Sequence, residues 1–418
     1  MSVGEIIKFY RQKEGLTQEE LGRGICSVTH VSKIERGQTP YAAEIISLFS
    51  ERLQIDIEKE NQRFENLENQ LHYWHKVIIM QRMKEVEEIQ KELETNPIIG
   101  SSSYAAFYKL LQARYYLLRQ DFNMTYAILM RVQNDYPELR PYEKNLLRHV
   151  WGIYYLLDYR NSKKECYQKA INILKEIDRT EYGNLEYYYH LAAAYQWMNS
   201  YVLAYSYAEK ALRYYKEVDN FLGALMAESI MLISIGSNVE HDFKEVEAAY
   251  RRLIHNSELL NKPDKKTMLL NNLGYEYFRR KDYQNAKRTF KESLSLVKKP
   301  SVLYLQRWYN YLKCCLEGKL MRKPELLKHA REGLAMAKVQ EATVYMIVFK
   351  LLILQIEENY EQYYQYIEKE ALPYFESSKS EMLKKRFGKE LFHYYMKVEQ
   401  YEKAVQISNQ LIEAIQSE

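Results

Sequence analysis

Residues that make turns are scarce in this chain. Glycine (14) and proline (8) amount to about 5% of 418 residues, where average usage would give roughly 12%. A β-sandwich or barrel needs frequent tight turns, and tight turns need residues that tolerate or pre-set unusual φ. An all-β architecture is therefore excluded. Cysteine is scarcer still: Cys26, Cys166, Cys314 and Cys315 show neither a C-x-x-C spacing nor a Cys/His metal pattern. They read as small apolar residues in a reducing compartment, with Cys314 and Cys315 pointing to different sides of one helix. Excess charge is absent too, because Lys+Arg 60 against Asp+Glu 56 leaves +4, which is no polycation built to coat nucleic acid or a membrane. The longest apolar run, Tyr345 to Ile356, is interrupted by Lys350 and is too short to cross a bilayer. Met1 to Lys13 lacks the apolar stretch of a secretory leader, so a cytoplasmic location without membrane contact is expected. No Gly-rich phosphate loop, G-x-S-x-G or H-E-x-x-H occurs. No enzyme, cofactor or metal is expected.

What the chain has in quantity is tyrosine, 40 residues of it, within a 47% hydrophobic composition. That supports a sizeable core of helices packed through large amphipathic side chains. Three regimes follow one another. Residues 1–57 hold short helices separated by Gly and Pro; residues 58–100 are a charged helical linker or first hairpin; residues 101–418 read as helical hairpins.

The hairpins repeat. Leu273-Gly274-x2-Tyr277 is followed by Tyr283, Ala286 and Phe290. The same offsets give Leu191-Ala192-x2-Tyr195 with Tyr201, Ala204 and Ala208, and Leu391-Phe392-x2-Tyr395 with Tyr401, Ala404 and Ser408. A weaker copy runs through Ala113, Tyr116, Phe122 and Leu129. Large–small–x2–aromatic, then aromatic–x2–small, is the tetratricopeptide (TPR) pattern, with a period of about 34 residues. Small residues such as Gly274 let the first helix of a hairpin approach the second, while Tyr277 and Tyr283 fill the wedge. The fold class expected is all-α: an N-terminal helix-turn-helix followed by a TPR-like right-handed superhelix.

Residues 1–57 follow a different logic. Val3, Ile6, Ile7 and Tyr10 make one helical face, ended by Gly15. Thr17-Gln18-Glu19-Glu20 is a capping box, opening a helix that stops at Gly24. Ser27 caps a third helix, with Val31 and Ile34 inward and Gly37 as the stop; Ala42 to Leu53 is a fourth. Two short helices around a tight turn form a helix-turn-helix, whose second helix offers its N-terminal residues to the DNA major groove. The exposed groups there are Ser27, Thr29, His30 and Lys33, with Val28 at the edge, and Gln18 is placed to meet a phosphate. Residues 1–40 carry six basic residues against five Glu, so one head binds duplex weakly and a homodimer reading two half-sites is expected.

The run Leu16-Thr17-Gln18-Glu19-Glu20-Leu21, then Gly24-Ile25-Cys26-Ser27 through Ser32-Lys33-Ile34-Glu35-Arg36-Gly37, resembles the Xre-type helix-turn-helix. It is most similar to the peptide-responsive regulators of Gram-positive bacteria, the Rgg/Rap/NprR/PlcR/PrgX group, and nearest to the NprR branch. That resemblance implies a head on a TPR-like array, so it covers essentially the whole chain. It implies that Gln18, Ser27, Val28, Thr29, His30, Lys33 and Arg36 contact double-stranded operator DNA, and that Cys26 is a packing residue.

Between head and repeats, two apolar stripes run through Phe64, Leu67, Leu71, Trp74, Val77 and Ile78, then Met83, Val86, Ile89 and Leu93. His72 and His75 lie close but lack an acidic ligand pattern. In a stacked array the first helices of the hairpins share an inner face. Counting along the repeats places Asn271, Tyr275 and Arg279 there, with Tyr189 and Gln196 in the earlier copy and Lys389, His393 and Lys397 in the last. An Asn amide both donates to and accepts from an extended backbone, and basic groups meet carboxylates. By the resemblance, such residues hold a short signalling oligopeptide. The function expected is a quorum-sensing transcription regulator switched by that peptide. The alternative is a Rap-like protein that binds a response regulator, as a protein-interaction or phosphatase regulator, with DNA binding secondary.

Overall fold

Two capping boxes start the chain. Ser2 Oγ accepts from the Glu5 N–H while the Glu5 carboxylate reaches back, and Thr17 with Glu20 repeats the device. Each box satisfies N–H groups that a helix start leaves without intrahelical partners. In this computed structural model, which describes residues 2–40, 42–101, 103–157, 163–236, 242–378 and 380–416, they open α1 (Val3–Lys13) and α2 (Gln18–Gly22). Gly24, at φ 75°, makes the left-handed turn, and Ser27 caps α3 (Val28–Glu35) by accepting from the His30 N–H. Gly37 at φ 63° ends it, and α4 (Ala43–Leu53) completes the head. Ile6, Ile7, Leu21, Val31, Ile34 and Phe49 are its buried core.

The linker is α5 (Ile57–Ile79) and α6 (Met83–Glu94). Its first stripe is buried throughout, as are Val86, Ile89 and Leu93 of the second, while Met83 is half-buried. The Trp74 indole N–H donates to the Val86 carbonyl at 3.0 Å, which fixes the pairing of the two helices. The head is tied to the linker: the Phe9 and Phe64 rings meet edge to face at 5.4 Å, and the Tyr10 hydroxyl donates to Glu60.

Beyond it come α7 (Ala105–Leu118), α8 (Phe122–Asp135), α9 (Pro141–Leu157), α10 (Lys163–Lys175), α11 (Arg179–Tyr182), α12 (Tyr187–Trp197) and α13 (Tyr201–Glu217). Next are α14 (Phe221–Gly236), α15 (Phe243–Leu259), α16 (Pro263–Arg279), α17 (Tyr283–Ser295), α18 (Val302–Glu317) and α19 (Lys323–Val339). The chain finishes with α20 (Thr343–Glu357), α21 (Tyr360–Tyr366), a π turn, α22 (Leu372–Ser377), α23 (Glu381–Lys397) and α24 (Tyr401–Gln416). There is no strand among the described residues. Two compact units emerge: Met1–Met198 with Arg213–Asn220, and Asn199–Leu212 with Phe221–Glu418.

The hairpin turns show how a glycine-poor chain folds back. Gln120, Lys281, Lys319 and Glu341 take left-handed φ of 51–61°, and the next residue donates its N–H to the carbonyl five positions back (Asp121 to Tyr116, Asp282 to Tyr277, Leu320 to Cys315, Ala342 to Ala337). This Schellman bond satisfies carbonyls at the helix end. At two of these turns that residue is Asp, which then caps the next helix.

Within the second unit, the repeat pattern maps onto the packing. A Cβ at Gly274 would stand 2.6 Å from the Phe290 ring. The ring of Phe290, rather than Ala286 alone, therefore fills the close approach. Tyr277 is buried and Tyr283 half-buried in the wedge. Cys314 joins the core around Leu273 and Phe290, whereas Cys315 joins the core around Leu312 and Phe349. Adjacent thiols thus serve different cores.

Candidate functional site

The head is built around a buried ion pair. Arg11 Nε and Nη2 donate to the two oxygens of Glu35 at 2.5 and 3.1 Å, and Arg11 Nη1 donates to the Leu16 carbonyl at 2.7 Å. Gln18 Nε2 donates to Glu35 at 2.8 Å, so the Gln18 amide is held at the front of α2. Arg52, from α4, donates to the Leu21 and Arg23 carbonyls at 2.8 and 2.6 Å and closes the end of α2. On this frame α3 buries Val31, Ile34 and Glu35 and turns Ser27, Val28, Thr29, Lys33 and Arg36 to solvent. His30 is half-buried, and Arg36 donates to the Ser32 hydroxyl at 2.5 Å. The sequence-derived set therefore converges on one helix face, with Gln18 beside it. Cys26 is half-buried rather than buried, and burial pushes its thiol up, away from a reactive thiolate.

In the first unit, sequence reasoning missed a buried polar core. Arg114 Nη2 donates to both oxygens of Glu186 at 2.9 and 3.0 Å. His149 is hydrogen-bonded through Nδ1 to the Tyr182 hydroxyl and through Nε2 to His190 Nδ1, both at 2.9 Å. His75 Nδ1 meets the Tyr142 hydroxyl at 2.9 Å. Burial, helped by the Arg114 charge, holds His75, His149 and His190 well below the usual imidazole range. The three are neutral structural groups. Tyr189, half-buried on α12, has its phenol pushed up to about 12 by burial; Gln196, near the other end of the helix, is also half-buried. Isolated histidines on separate helices carry no spacing signal, which is why the network was invisible in the sequence.

In the second unit the inner-face count brings some residues together and leaves others apart. Tyr275 is 41% exposed, and its hydroxyl donates to Asn310 Oδ1 at 2.8 Å. Asn310 Nδ2 donates to Asn271 Oδ1 at 2.9 Å. Asn271 and Asn310 are both buried, and their amides link α16 to α18. Arg279, one turn beyond Tyr275, is instead ion-paired to the buried Glu276, which also takes Arg280. Lys389, His393 and Lys397 lie exposed on α23. Sequence reasoning passed over Arg307 and Asn310 on α18, Tyr345 on α20 and Arg386 on α23; Tyr275 lies in the field of both Arg307 and Arg386, and Arg307 and Tyr345 act on one another directly. Asn310 lies 39 residues after Asn271, close to one repeat, and that offset was the signal available. Among the described residues no cluster of three His, Cys, Asp or Glu is placed to hold a metal, and no helix is long and apolar enough to cross a membrane.

Residues 7–59 match the helix-turn-helix family. Along its length the chain is 24% identical over 396 residues to the transcriptional activator NprA of Geobacillus stearothermophilus, covering 91% of this chain and 95% of that one. The apo form of the quorum sensor NprR from B. thuringiensis superposes with a TM-score of 0.69 at 20% identity, over 84% of this chain and 99% of that one. NprR in complex with its cognate peptide NprX gives a TM-score of 0.65 at 20% identity, again over 84% and 99%. The chain thus has the fold of NprR behind a helix-turn-helix head. The resemblance read from its residues extends over nearly its whole length, and the relative by sequence is a transcriptional activator rather than an enzyme.

Proposed function

We propose that this protein is a peptide-switched transcription regulator, acting as a homodimer in the cytoplasm. The head of each protomer lays α3 in the major groove of one operator half-site. A short oligopeptide binds on the face where Asn271, Tyr275 and Asn310 meet, and its preference for one conformation shifts the match of the two heads to the operator spacing. The observation that carries the reading is the solvent-facing row Ser27, Val28, Thr29, Lys33 and Arg36, on a head covalently continuous with an NprR-like fold. Asn271 supports the peptide half. Its oxygen is engaged by Asn310, which leaves its own N–H groups to donate to a ligand backbone.

Replacing Thr29 and Lys33 together with Ala tests the DNA half. Both side chains are exposed, so the helical signal in circular dichroism stays unchanged. Operator affinity in a salt-controlled gel shift falls about tenfold or more, and the salt dependence becomes shallower by roughly one phosphate contact for the lost Lys. Unaltered affinity and slope would show that α3 does not dock as assigned.

A further inference from the structure

The charge of this chain is unevenly spread. From Tyr283 to Val339, the span of α17, α18 and α19, 13 Lys and Arg stand against 4 Glu and no Asp, an excess of nine. The whole chain carries only +4, so the remainder stands at −5. Such a concentration sets up a local field that the net charge of the molecule conceals.

On α19 that field has a defined surface. Its Leu326, Ala330, Gly333 and Ala337 are buried, and a Cβ at Gly333 would stand 2.3 Å from the Phe349 ring, so α20 seats closely along one side. Residues three and four apart share a helix face. The opposite side of α19 carries Pro324, Lys328, Arg331, Ala335, Lys338 and Val339, all exposed. Arg331 is paired with Glu357 at 3.0 Å, whereas Lys328 and Lys338 have no carboxylate partner among the described residues. Pro324, Leu327 and Ala335, with Lys328, Arg331 and Glu332, line an open depression of about 580 Å³. Glu332, the one acid there, is engaged by the His329 imidazole at 3.2 Å.

Apolar carbon between cations selects among anionic partners. A phosphate backbone asks for cations and gains little from apolar carbon, whereas a protein interface sets an apolar centre inside a polar rim. α19 has the second arrangement. It is also not the face assigned above to the oligopeptide. The first helices α18 and α20 pack on each other, and α19, the second helix of its hairpin, lies against both, in the layer away from the inner face. A stripe of this period matches the i, i+3, i+4, i+7 anchors of an amphipathic helix.

We propose that the exposed face of α19 docks an acidic amphipathic helix of a protein partner. One apolar side chain of that helix seats on Leu327 and Ala335, and its carboxylates meet Lys328 and Lys338. The assignment stands apart from the DNA and peptide readings above. The full-length protein is titrated, by fluorescence anisotropy, with two labelled synthetic peptides of about five helical turns. Both have the same Leu, Phe and Glu composition; in one the apolar residues share a helix face, and in the other the order is scrambled. The wild-type protein binds the patterned peptide about tenfold more tightly than the scrambled one. Lys328→Glu combined with Lys338→Glu loses that preference with unchanged helicity, since both side chains are exposed. Ala335→Arg adds a cation but covers the apolar seat, and it loses the preference too. Equal binding of the two peptides, or a preference that survives the charge reversal, overturns the assignment. So does an Ala335→Arg protein that binds the patterned peptide as tightly as the wild type; if it also holds a duplex of unrelated sequence more tightly, the face serves nucleic-acid phosphates instead. Self-association of the wild type in sedimentation, removed by the charge reversal, gives the face to a second copy of this chain and overturns the partner named here.

Discussion

Glu35 is 3% exposed where α1, α2 and α3 meet, and it takes hydrogen bonds from Arg11 and Gln18. Removing one partner of a buried pair strands the other charge, at a cost of about 3–5 kcal/mol. Glu35→Gln is therefore expected to destabilise the head severely, read as early loss of helicity in a denaturant titration, while Arg11→Met combined with Glu35→Leu recovers most of it. A double variant as unstable as the single would mean that the pair is not what holds the head. At this scale the head was largely legible: the Thr17–Glu20 box, the Ser27 cap and the glycine stops at 24 and 37 are local chemistry, written in adjacent residues. The partner of Arg11 was not legible, because 24 residues separate it from Glu35 and nothing in either segment marks the pairing.

Among elements, the helices of the first unit meet around imidazoles, side chains that ordinarily titrate near neutrality. His75, His149 and His190 face Arg114, Glu186, Tyr142 and Tyr182, and burial depresses each imidazole. The unfolded chain protonates these residues near the ordinary value of about 6.5, and the folded chain does not. Stability is thus undiminished above that pH and declines as pH falls below it. Thermal unfolding followed from pH 8 to pH 5 is expected to show Tm dropping through the lower half of the range, with a smaller drop in His190→Asn. A flat Tm would mean that the histidines are as free to protonate folded as unfolded. The hairpin repeat and the apolar stripes were readable from periodicity. Two features were not. Turns built on Gln120, Lys281, Lys319 and Glu341 in left-handed φ use residues that carry no turn signal, and polar groups from separate helices converge only once the helices are packed.

For the whole molecule, the proposal is a coupling between the face of the second unit proposed to bind peptide and α3 of the head. The joining of a helix-turn-helix head to hairpin repeats was legible, since each part has its own spacing. Of the face proposed for the ligand, Asn271 and Tyr275 fall out of the repeat count, whereas Asn310, which hydrogen-bonds both, lies on α18 outside the repeat copies. Coupling is reciprocal in binding free energy, so it can be measured from either end. The direct measurement is operator affinity, by fluorescence anisotropy at fixed salt, with and without a saturating oligopeptide shown to bind the wild-type protein, for the wild-type chain and for Asn271→Ala. The expected result is a shift of about fivefold or more for the wild type, an unchanged peptide-free affinity in Asn271→Ala, and loss of the shift in that variant at the same peptide concentration. Operator affinity that is identical with and without peptide, in a wild-type protein shown to bind both, would contradict the account.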